Sequence, residues 1–309
     1  METTALARIR TFEVSPARFV QLALANTLLL WLIVGSGAAV RLTDSGLGCR
    51  AWPGCERGRP LPEKDIHAFV EFGNRLVGGV VITLTLVTWL AARRAPGLPA
   101  WARRIALLVF VGALAQAPIG YLAVATDLRW PIVMTHLLLS FALIAGAVVV
   151  TVEAFGLRDG RSPPVVPPEL RRLALVFVGA GLALVVSGTF ATAAGPHSGG
   201  GEHIDRFGSL EPTVYVHGAI VGVFLLSFLF AIGYLAAYRQ RSSGLFRFGV
   251  AVLVLLLIQM AVGELQWRTE LPWQIVLVHV LLAAAVWAGT VALATLFFRP
   301  PRSMIPASA

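Results

Sequence analysis

Residues 272–298 read PWQIVLVHVLLAAAVWAGTVALATLFF, a run that contains no Asp, Glu, Lys or Arg. An uninterrupted apolar run of about 18 residues or more is long enough to cross a bilayer as a helix. Similar runs recur along the 309-residue chain, which is 57% hydrophobic and only 13% charged, against about 25% charged residues in a typical soluble domain. This composition excludes a protein built around a single soluble core.

We predict an all-α membrane protein with eight transmembrane helices, because backbone polar groups in lipid must be satisfied within their own segment. Proline-containing connections separate the runs, with Pro96 and Pro99 in one of them and four prolines between 163 and 168 in another. The predicted helices cover residues 18–40, 67–93, 103–125, 131–155, 171–192, 213–238, 246–265 and 272–298.

Arginine-rich connections alternate with arginine-poor ones along the chain. The rich segments are the N-terminal tail and the second, fourth and sixth loops, whereas the third, fifth and seventh loops have one arginine each, namely Arg129, Arg206 and Arg268. Because basic loops stay on the cytoplasmic side, both termini are predicted to be cytoplasmic, in a multi-pass protein of the plasma membrane. The net charge of +9 then comes from loop arginines that set the orientation of the helices in the membrane. We therefore expect contact with membrane lipid and no nucleic-acid partner.

The second half of the sequence repeats a pattern of the first. Gln116, Gly120, Trp130 and His136 recur at a constant offset of 143 residues, and the recurring residues are Gln259, Gly263, Trp273 and His279. The same offset places Asn74 of helix two opposite His217 of helix six. A duplication explains these matches, as in other repeat-built membrane proteins.

The repeat predicts two tandem four-helix bundles, each with a related pocket. The N-terminal unit spans 18–155 and the C-terminal unit spans 171–298. A cytoplasmic linker, 156–170, joins them, and cytoplasmic tails cover 1–17 and 299–309.

Three histidines are predicted inside the membrane at similar depth, in the half towards the extracytoplasmic side. His136, His217 and His279 each lie a few residues into a helix that starts on that side. A titratable side chain at this depth is costly, and imidazole is a common axial ligand of haem iron. Their matched depth favours haem ligation over interhelical hydrogen bonding. His217 and His279 can form a pair, whereas the first unit has either His136 alone or a contribution from His67.

Glu71 is predicted about one turn inside helix two, where a carboxylate must be paired, protonated or solvated. It either forms an ion pair with Arg75 or Arg41, or acts as an acid/base group beside a substrate, and the two roles are compatible. Arg41 and Arg75 could also bind haem propionates, because guanidinium groups pair with carboxylates through two hydrogen bonds. His197 and His203, in a glycine-rich external segment, receive no ligand role.

The first external loop holds both cysteines of the chain, Cys49 and Cys55. A disulfide can persist outside the cytoplasm, so we predict that they are bonded. The disulfide either staples the loop alone or has a redox role as well.

Together these residues resemble the haem A synthase family over about residues 18 to 298. Residues 40–49 read VRLTDSGLGC and residues 52–55 read WPGC, which is similar to the signature loop and cysteine pair of that family. Residues 71–75 read EFGNR and resemble its Glu-x-x-His-Arg motif. The histidines at 136, 217 and 279 match its other intramembrane histidines.

Two residues depart from the family pattern. Asn74 stands where a histidine is expected, and Gly218 stands where an arginine often follows the helix-six histidine. The sequence GPHSGG at 195–200 and the asparagine are similar to actinobacterial-type members. Asn74 therefore places two-histidine ligation in the first unit in question.

The resemblance implies an oxidoreductase that converts haem O to haem A for cytochrome oxidase. A methyl group would be hydroxylated successively to a hydrate, which loses water to leave a formyl group. His217 and His279 would ligate a resident haem b, and His136 would hold substrate haem O with Glu71 as proton acceptor or polariser nearby. The family's cysteine pair is linked to activity or electron delivery. Implied partners are the haem O synthase and cytochrome oxidase assembly factors.

Two other functions use the same residues. A b-type electron-transfer protein would ligate haem without modifying it, but such proteins usually pair histidines across the membrane, whereas here the candidates cluster on one side. A proton-coupled transporter would use intramembrane His and Glu near the midplane, often at broken helices. Pro118 interrupts helix three, and helix seven has no matching proline.

Overall fold

The computed structural model describes residues 13–49, 51–56, 58, 61–62, 65–201, 204–237 and 243–305. Residues 1–12 and 306–309 of the two predicted tails, together with His203, lie outside the described residues. The described part contains eight long α-helices, α1 to α8 in chain order. They span Pro16–Leu42, Ile66–Arg93, Ala100–Ala125, Trp130–Asp159, Pro168–Ala194, Leu210–Ala237, Ser243–Arg268 and Trp273–Phe298.

All eight helices are long and apolar enough to cross a membrane. At about 1.5 Å per residue, even the shortest of them exceeds the ~30 Å hydrocarbon core of a bilayer. The predicted all-α, eight-helix membrane fold is therefore confirmed. α3 runs through Pro118 without ending, so the predicted interruption of helix three is wrong. Proline in a membrane helix is tolerated because neighbouring groups satisfy the freed carbonyl.

Prolines mark where several helices begin. Pro99, Pro167 and Pro272 are the N-caps of α3, α5 and α8, and Pro16 and Pro131 lie in the first turns of α1 and α4. The backbone N–H groups of the first turn have no partner within the helix, so proline, which lacks an N–H, loses no hydrogen bond there. Its fixed φ also suits a helix. These positions explain why the predicted boundaries lie within a few residues of the observed ones.

The helices form two groups of four. In the first unit, α1 contacts α2 and α4, and α3 contacts α2 and α4. In the second unit, α5 contacts α6 and α8, and α7 contacts α8 and, more weakly, α6. α8 also packs on α1 and α4, so it is the central helix of the interface between the units.

Two tryptophans connect the units across that interface. The indole N–H of Trp31 on α1 donates to the carbonyl of Leu281 on α8 at 2.9 Å, and Trp287 on α8 donates to Phe141 on α4 at 2.9 Å. A buried indole N–H needs such a partner. The bonds place α8 against the first unit, which positions the pocket of the second unit beside α4.

The repeat extends to the backbone of one turn. Asp127 and Leu128, between α3 and α4, have φ of 52° and 55°, and Glu270 and Leu271, between α7 and α8, have 63° and 60°. The amide of Leu128 bonds to Ala123 at 2.8 Å, and that of Leu271 bonds to Gln266 at the same distance. Left-handed backbone is uncommon for such residues, so its recurrence at matched positions supports the duplication.

The loops lie at two ends of the helices. We call the end with the loops after α1, α3, α5 and α7 the disulfide face, because it holds Cys49 and Cys55. The opposite end, with the connections after α2 and α4, is the arginine-rich face.

At the arginine-rich face, Glu153 of α4 is buried and accepts hydrogen bonds from Arg161 and Arg299. Arg299 follows α8, so this carboxylate joins the two units at that end.

Candidate functional site

A cavity of about 660 Å³ lies within the second unit. Helices α5 to α8 supply most of its lining, and α4 adds Leu137 and Phe141. Small-molecule and cofactor sites usually enclose about 300–1,000 Å³ with mostly apolar walls and a few polar groups. The cavity therefore has the size and lining of a cofactor site, and both His217 and His279 face it.

Contacts with α5 fix the orientation of the His217 side chain. The hydroxyl of Ser187 lies 2.9 Å from its Nδ1, and the adjacent Gly188 leaves room for the ring, since a Cβ there would lie 3.1 Å from Cε1. A hydrogen bond at one ring nitrogen sets the tautomer and leaves the other nitrogen to bind a ligand. The predicted ligand is thus held in a suitable orientation.

His279 is held against α7. Its Nε2 lies 3.2 Å from the side-chain nitrogen of Gln259, and a Cβ on Gly263 would lie 2.9 Å from its Cε1. Its Nδ1 and the Gln259 side-chain oxygen are buried without a hydrogen-bond partner among the described residues. Buried polar atoms are rarely left unpaired, so this pair of atoms is consistent with a ligand that completes the site.

The first unit repeats this arrangement around His136. Gln116 on α3 donates to the backbone carbonyl of His136 at 3.0 Å, and Gly120 lies against the ring. As in the second unit, the histidine Nδ1 and the glutamine oxygen are buried without a described partner. The Gln–Gly–His arrangement therefore recurs in structure as well as in sequence.

Asn74 occupies in the first unit the position that His217 occupies in the second. The Ser36 hydroxyl donates to the Asn74 side-chain oxygen at 2.7 Å, just as Ser187 meets His217. His67 is engaged elsewhere, since its Nδ1 lies 3.0 Å from the hydroxyl of Ser45.

Glu71 and Arg75 hold the first loop of the disulfide face. Glu71 is 4% exposed, accepts the amide N–H of Cys49 at 2.8 Å, and forms an ion pair with Arg75. Arg75 also donates to the carbonyls of Ala51 and Gly54, at 2.7 and 2.6 Å. Cys49 and Cys55 form the predicted disulfide within this loop. The ion pair is with Arg75, one of the two partners expected.

Arg41 points towards the second unit although it belongs to α1. It donates to the carbonyl of Thr192 at the end of α5 and lines the large cavity. Of the two arginines predicted to meet propionates, Arg41 therefore reaches a cavity, whereas Arg75 is bonded to Glu71 and to loop carbonyls.

Sequence reasoning missed the position of His197. The histidine lines the cavity at the disulfide face, where its Nε2 donates to the carbonyl of Leu271 at 2.8 Å. Its place in a glycine-rich loop suggested an unremarkable surface residue. The only sequence signal was the surrounding GPHSGG motif, whose contact with the α7–α8 turn depends on tertiary packing.

Comparison with protein families matches residues 20–291 to the family described as cytochrome oxidase assembly protein, COX15-CtaA. The chain belongs to this family. The match covers all eight helices except their outermost ends, and therefore includes every candidate residue named above.

Several curated relatives are named heme A synthase. The chain is 30% identical to the Shewanella oneidensis protein over 37% of this chain and 39% of that protein. It is 33% identical to the Symbiobacterium thermophilum protein over 47% of this chain and 49% of that protein. Each alignment thus spans less than half of the relative. A Thermus thermophilus protein named protoheme IX farnesyltransferase is 30% identical over 87% of this chain, which is 47% of that protein.

Proposed function

We propose that this chain is a haem A synthase, an oxidoreductase that converts a methyl group of haem O to a formyl group by successive hydroxylation. The observation that carries the proposal is the Gln–Gly–His arrangement, present in both units with a histidine nitrogen and a glutamine oxygen that have no hydrogen-bond partner among the described residues. Family membership and the relatives named heme A synthase favour this function over an electron carrier or a transporter.

In the second unit, His217 and His279 would hold a resident haem b. The two histidines lie on different helices, face one cavity, and carry the imidazole donors that haem iron accepts. Bound there, the haem would supply one-electron redox chemistry. Arg41 lines the same cavity, so its guanidinium is placed to pair with a propionate.

In the first unit, His136 would hold the substrate haem O as its only histidine ligand. Asn74 occupies the second ligand position and does not normally ligate haem iron, and its side-chain oxygen already accepts from Ser36. A single ligand suits a substrate that must be released as product.

Glu71 would accept protons released when the methyl group is hydroxylated. Its carboxylate is buried, so a substrate bound nearby would change how readily it takes up a proton. The ion pair with Arg75 would keep it oriented. Because Glu71 also holds the amide of Cys49, the same carboxylate couples the disulfide loop to the first unit.

The sites would lie towards the extracytoplasmic side of the plasma membrane. Arg93, Arg94, Arg103 and Arg104 lie at the arginine-rich face, where basic loops mark the cytoplasm, so both termini would be cytoplasmic. The disulfide at the opposite face agrees with that orientation.

The haem O synthase would deliver the substrate, and assembly factors of cytochrome oxidase would receive the product. The similarity to a protein named protoheme IX farnesyltransferase supports the first partner, because farnesylated haem is the substrate class proposed.

Activity in cells tests the proposal. Expression in a host that makes haem O but not haem A should lead to haem A, which chromatography of extracted haems detects. Accumulation of unmodified haem O alone, despite a stable protein, would contradict the proposed reaction.

A further inference from the structure

The boundary between α6 and α7, which we call the α6–α7 seam, is the loosest contact between neighbouring helices within either unit. The equivalent helices of the first unit, α2 and α3, pack on each other far more extensively. Since the two units derive from one repeat, this difference marks a local opening of the second unit.

The large cavity reaches the surface at this seam. Tyr215 and Ala219 on α6, and Glu264 and Trp267 on α7, all line the cavity. The same residues are exposed on the outside of the helix bundle, with Tyr215 at 65% and Trp267 at 36%. These lining residues lie on both helices of the loosest contact, so the cavity opens between α6 and α7, on the side of the bundle that would face lipid.

A glycine keeps the seam open beside His217. Gly218 lines the cavity and is exposed, and a Cβ built on it would meet no atom within 4 Å. The glycines behind the ligand rings differ, because a Cβ on Gly188 or Gly263 would lie 3.1 or 2.9 Å from a histidine. Gly218 therefore adds space at the mouth, whereas the other two provide room for the rings.

The first unit has an aromatic contact at the corresponding place. Tyr121 on α3 matches Glu264 in the repeat, and its ring lies 5.7 Å from that of Trp52 in the disulfide loop. In the second unit, Glu264 instead pairs with Arg268 on its own helix at 2.6 Å. Among the described residues, no loop side chain makes the equivalent contact to Glu264.

The disulfide-face end of the cavity is crossed by polar contacts. His197 is bonded to the carbonyl of Leu271, and Arg41 to that of Thr192. A ligand arriving from water would have to break these bonds. A ligand arriving from lipid would pass Tyr215, Ala219 and Trp267, and the ion pair of Glu264 with Arg268, without breaking either of these bonds.

We propose that the cavity of the second unit is loaded sideways from the bilayer, through the α6–α7 seam, by a flat and largely apolar ligand of the porphyrin class. This inference rests on the proposed function, since it takes the ligand to be haem. A porphyrin can partition into lipid, and the seam connects lipid with the cavity that holds His217 and His279.

The test uses the full chain, haem-free, in phosphatidylcholine vesicles, with haem b supplied in the same membrane. Ala219→Cys introduces a thiol at the seam, and Gly233→Cys introduces one on the same helix away from the cavity, at an exposed site with open space around it. The native cysteines are bonded to each other, so pyrenyl maleimide labels only the new thiol. Uptake is followed as the growth of the Soret band.

Labelling Ala219→Cys before loading should slow uptake about tenfold, and labelling Gly233→Cys should not change it. Labelling Ala219→Cys after loading should leave the haem content and spectrum intact, which shows that the site still forms. Uptake at the unlabelled rate, or equal slowing at both positions, would overturn the seam as the route. If the unlabelled chain binds no haem at all, the proposed haem site itself is wrong, and the route is wrong with it.

Discussion

At the residue scale, the difference between Asn74 and His217 separates the two sites. Each is bonded to a serine of the preceding α1 or α5, Ser36 or Ser187, and each has a histidine, His136 or His279, beside a glutamine in its own unit. One unit thus offers two imidazoles and the other offers one. Under the proposed function, this difference would let one site retain its haem and the other exchange it.

His217→Ala and His279→Ala should each abolish haem b binding, because each removes one axial ligand from the only two-histidine site proposed. The Soret absorbance of the purified variant, relative to protein, measures the loss. His67→Ala is the matched control, since His67 bonds to Ser45 and faces no haem in this account, and it should keep the haem. Normal haem b in either of the first two variants would refute the ligand pair.

Asn74→His should convert the first site to a two-histidine site, because Ser36 can orient the new ring as Ser187 orients His217. We expect more haem per chain and about tenfold less haem A formed in cells, as the substrate is held more tightly. Asn74→Ala, which adds no ligand, is the control. Unchanged haem content in Asn74→His would show that the two positions are not equivalent.

Glu71→Gln should keep haem b but stop haem A formation, because the amide can still accept from Cys49 but cannot take up a proton. Arg75→Gln breaks the same ion pair, together with the bonds from Arg75 to the loop carbonyls, while leaving the carboxylate in place. If Glu71 is the proton acceptor, its variant loses about a hundredfold more activity than Arg75→Gln does. Equal losses of activity in the two variants would mean that Glu71 only holds the loop in place.

At the element scale, some features of the fold could be predicted from the sequence and others could not. The apolar runs predicted all eight helices, and the Gln–Gly–His spacing predicted the repeat, because both depend on local pattern. The contacts that the side chains of Arg41 and His197 make could not be predicted in this way. Each makes its contact with a carbonyl far away in sequence, Thr192 or Leu271, which only the packing of the units brings close.

The contacts of Glu153 connect α4 to the end of α8, and they yield a prediction about stability. Glu153→Gln removes a buried charge that two arginines, Arg161 and Arg299, both contact. The two arginines are partly exposed, at 29% and 35%, so solvent screens their charges and the loss is about 1–3 kcal/mol, which should lower the thermal midpoint of the purified protein.

The haem spectrum of Glu153→Gln should not change, because Glu153 lies at the face opposite the disulfide. Arg158→Gln provides the control, since its pair with Asp159 is at the surface, and it should hardly alter the midpoint. An unchanged midpoint in Glu153→Gln would mean that this cluster does not hold the units together.

At the scale of the whole molecule, one repeated bundle has produced two different sites. Arg41 of the first unit lines the cavity of the second, and α8 packs on α1 and α4, so the first unit completes the cavity of the second. The first external loop, which holds the disulfide, also contacts the second unit, because the amide of Gly46 donates to the carbonyl of Gly199 at 2.8 Å. A resident cofactor beside an exchangeable substrate is the arrangement that oxidation of one haem with the help of another requires.

The haem content of the purified chain tests this account most directly. The protein is co-expressed with a haem O synthase in a host that has no haem A of its own, and the extracted haems are separated by chromatography. We predict haem b together with haem O, hydroxylated haem O or haem A. Haem b alone would contradict the account in favour of an electron carrier, and the absence of any haem would contradict both.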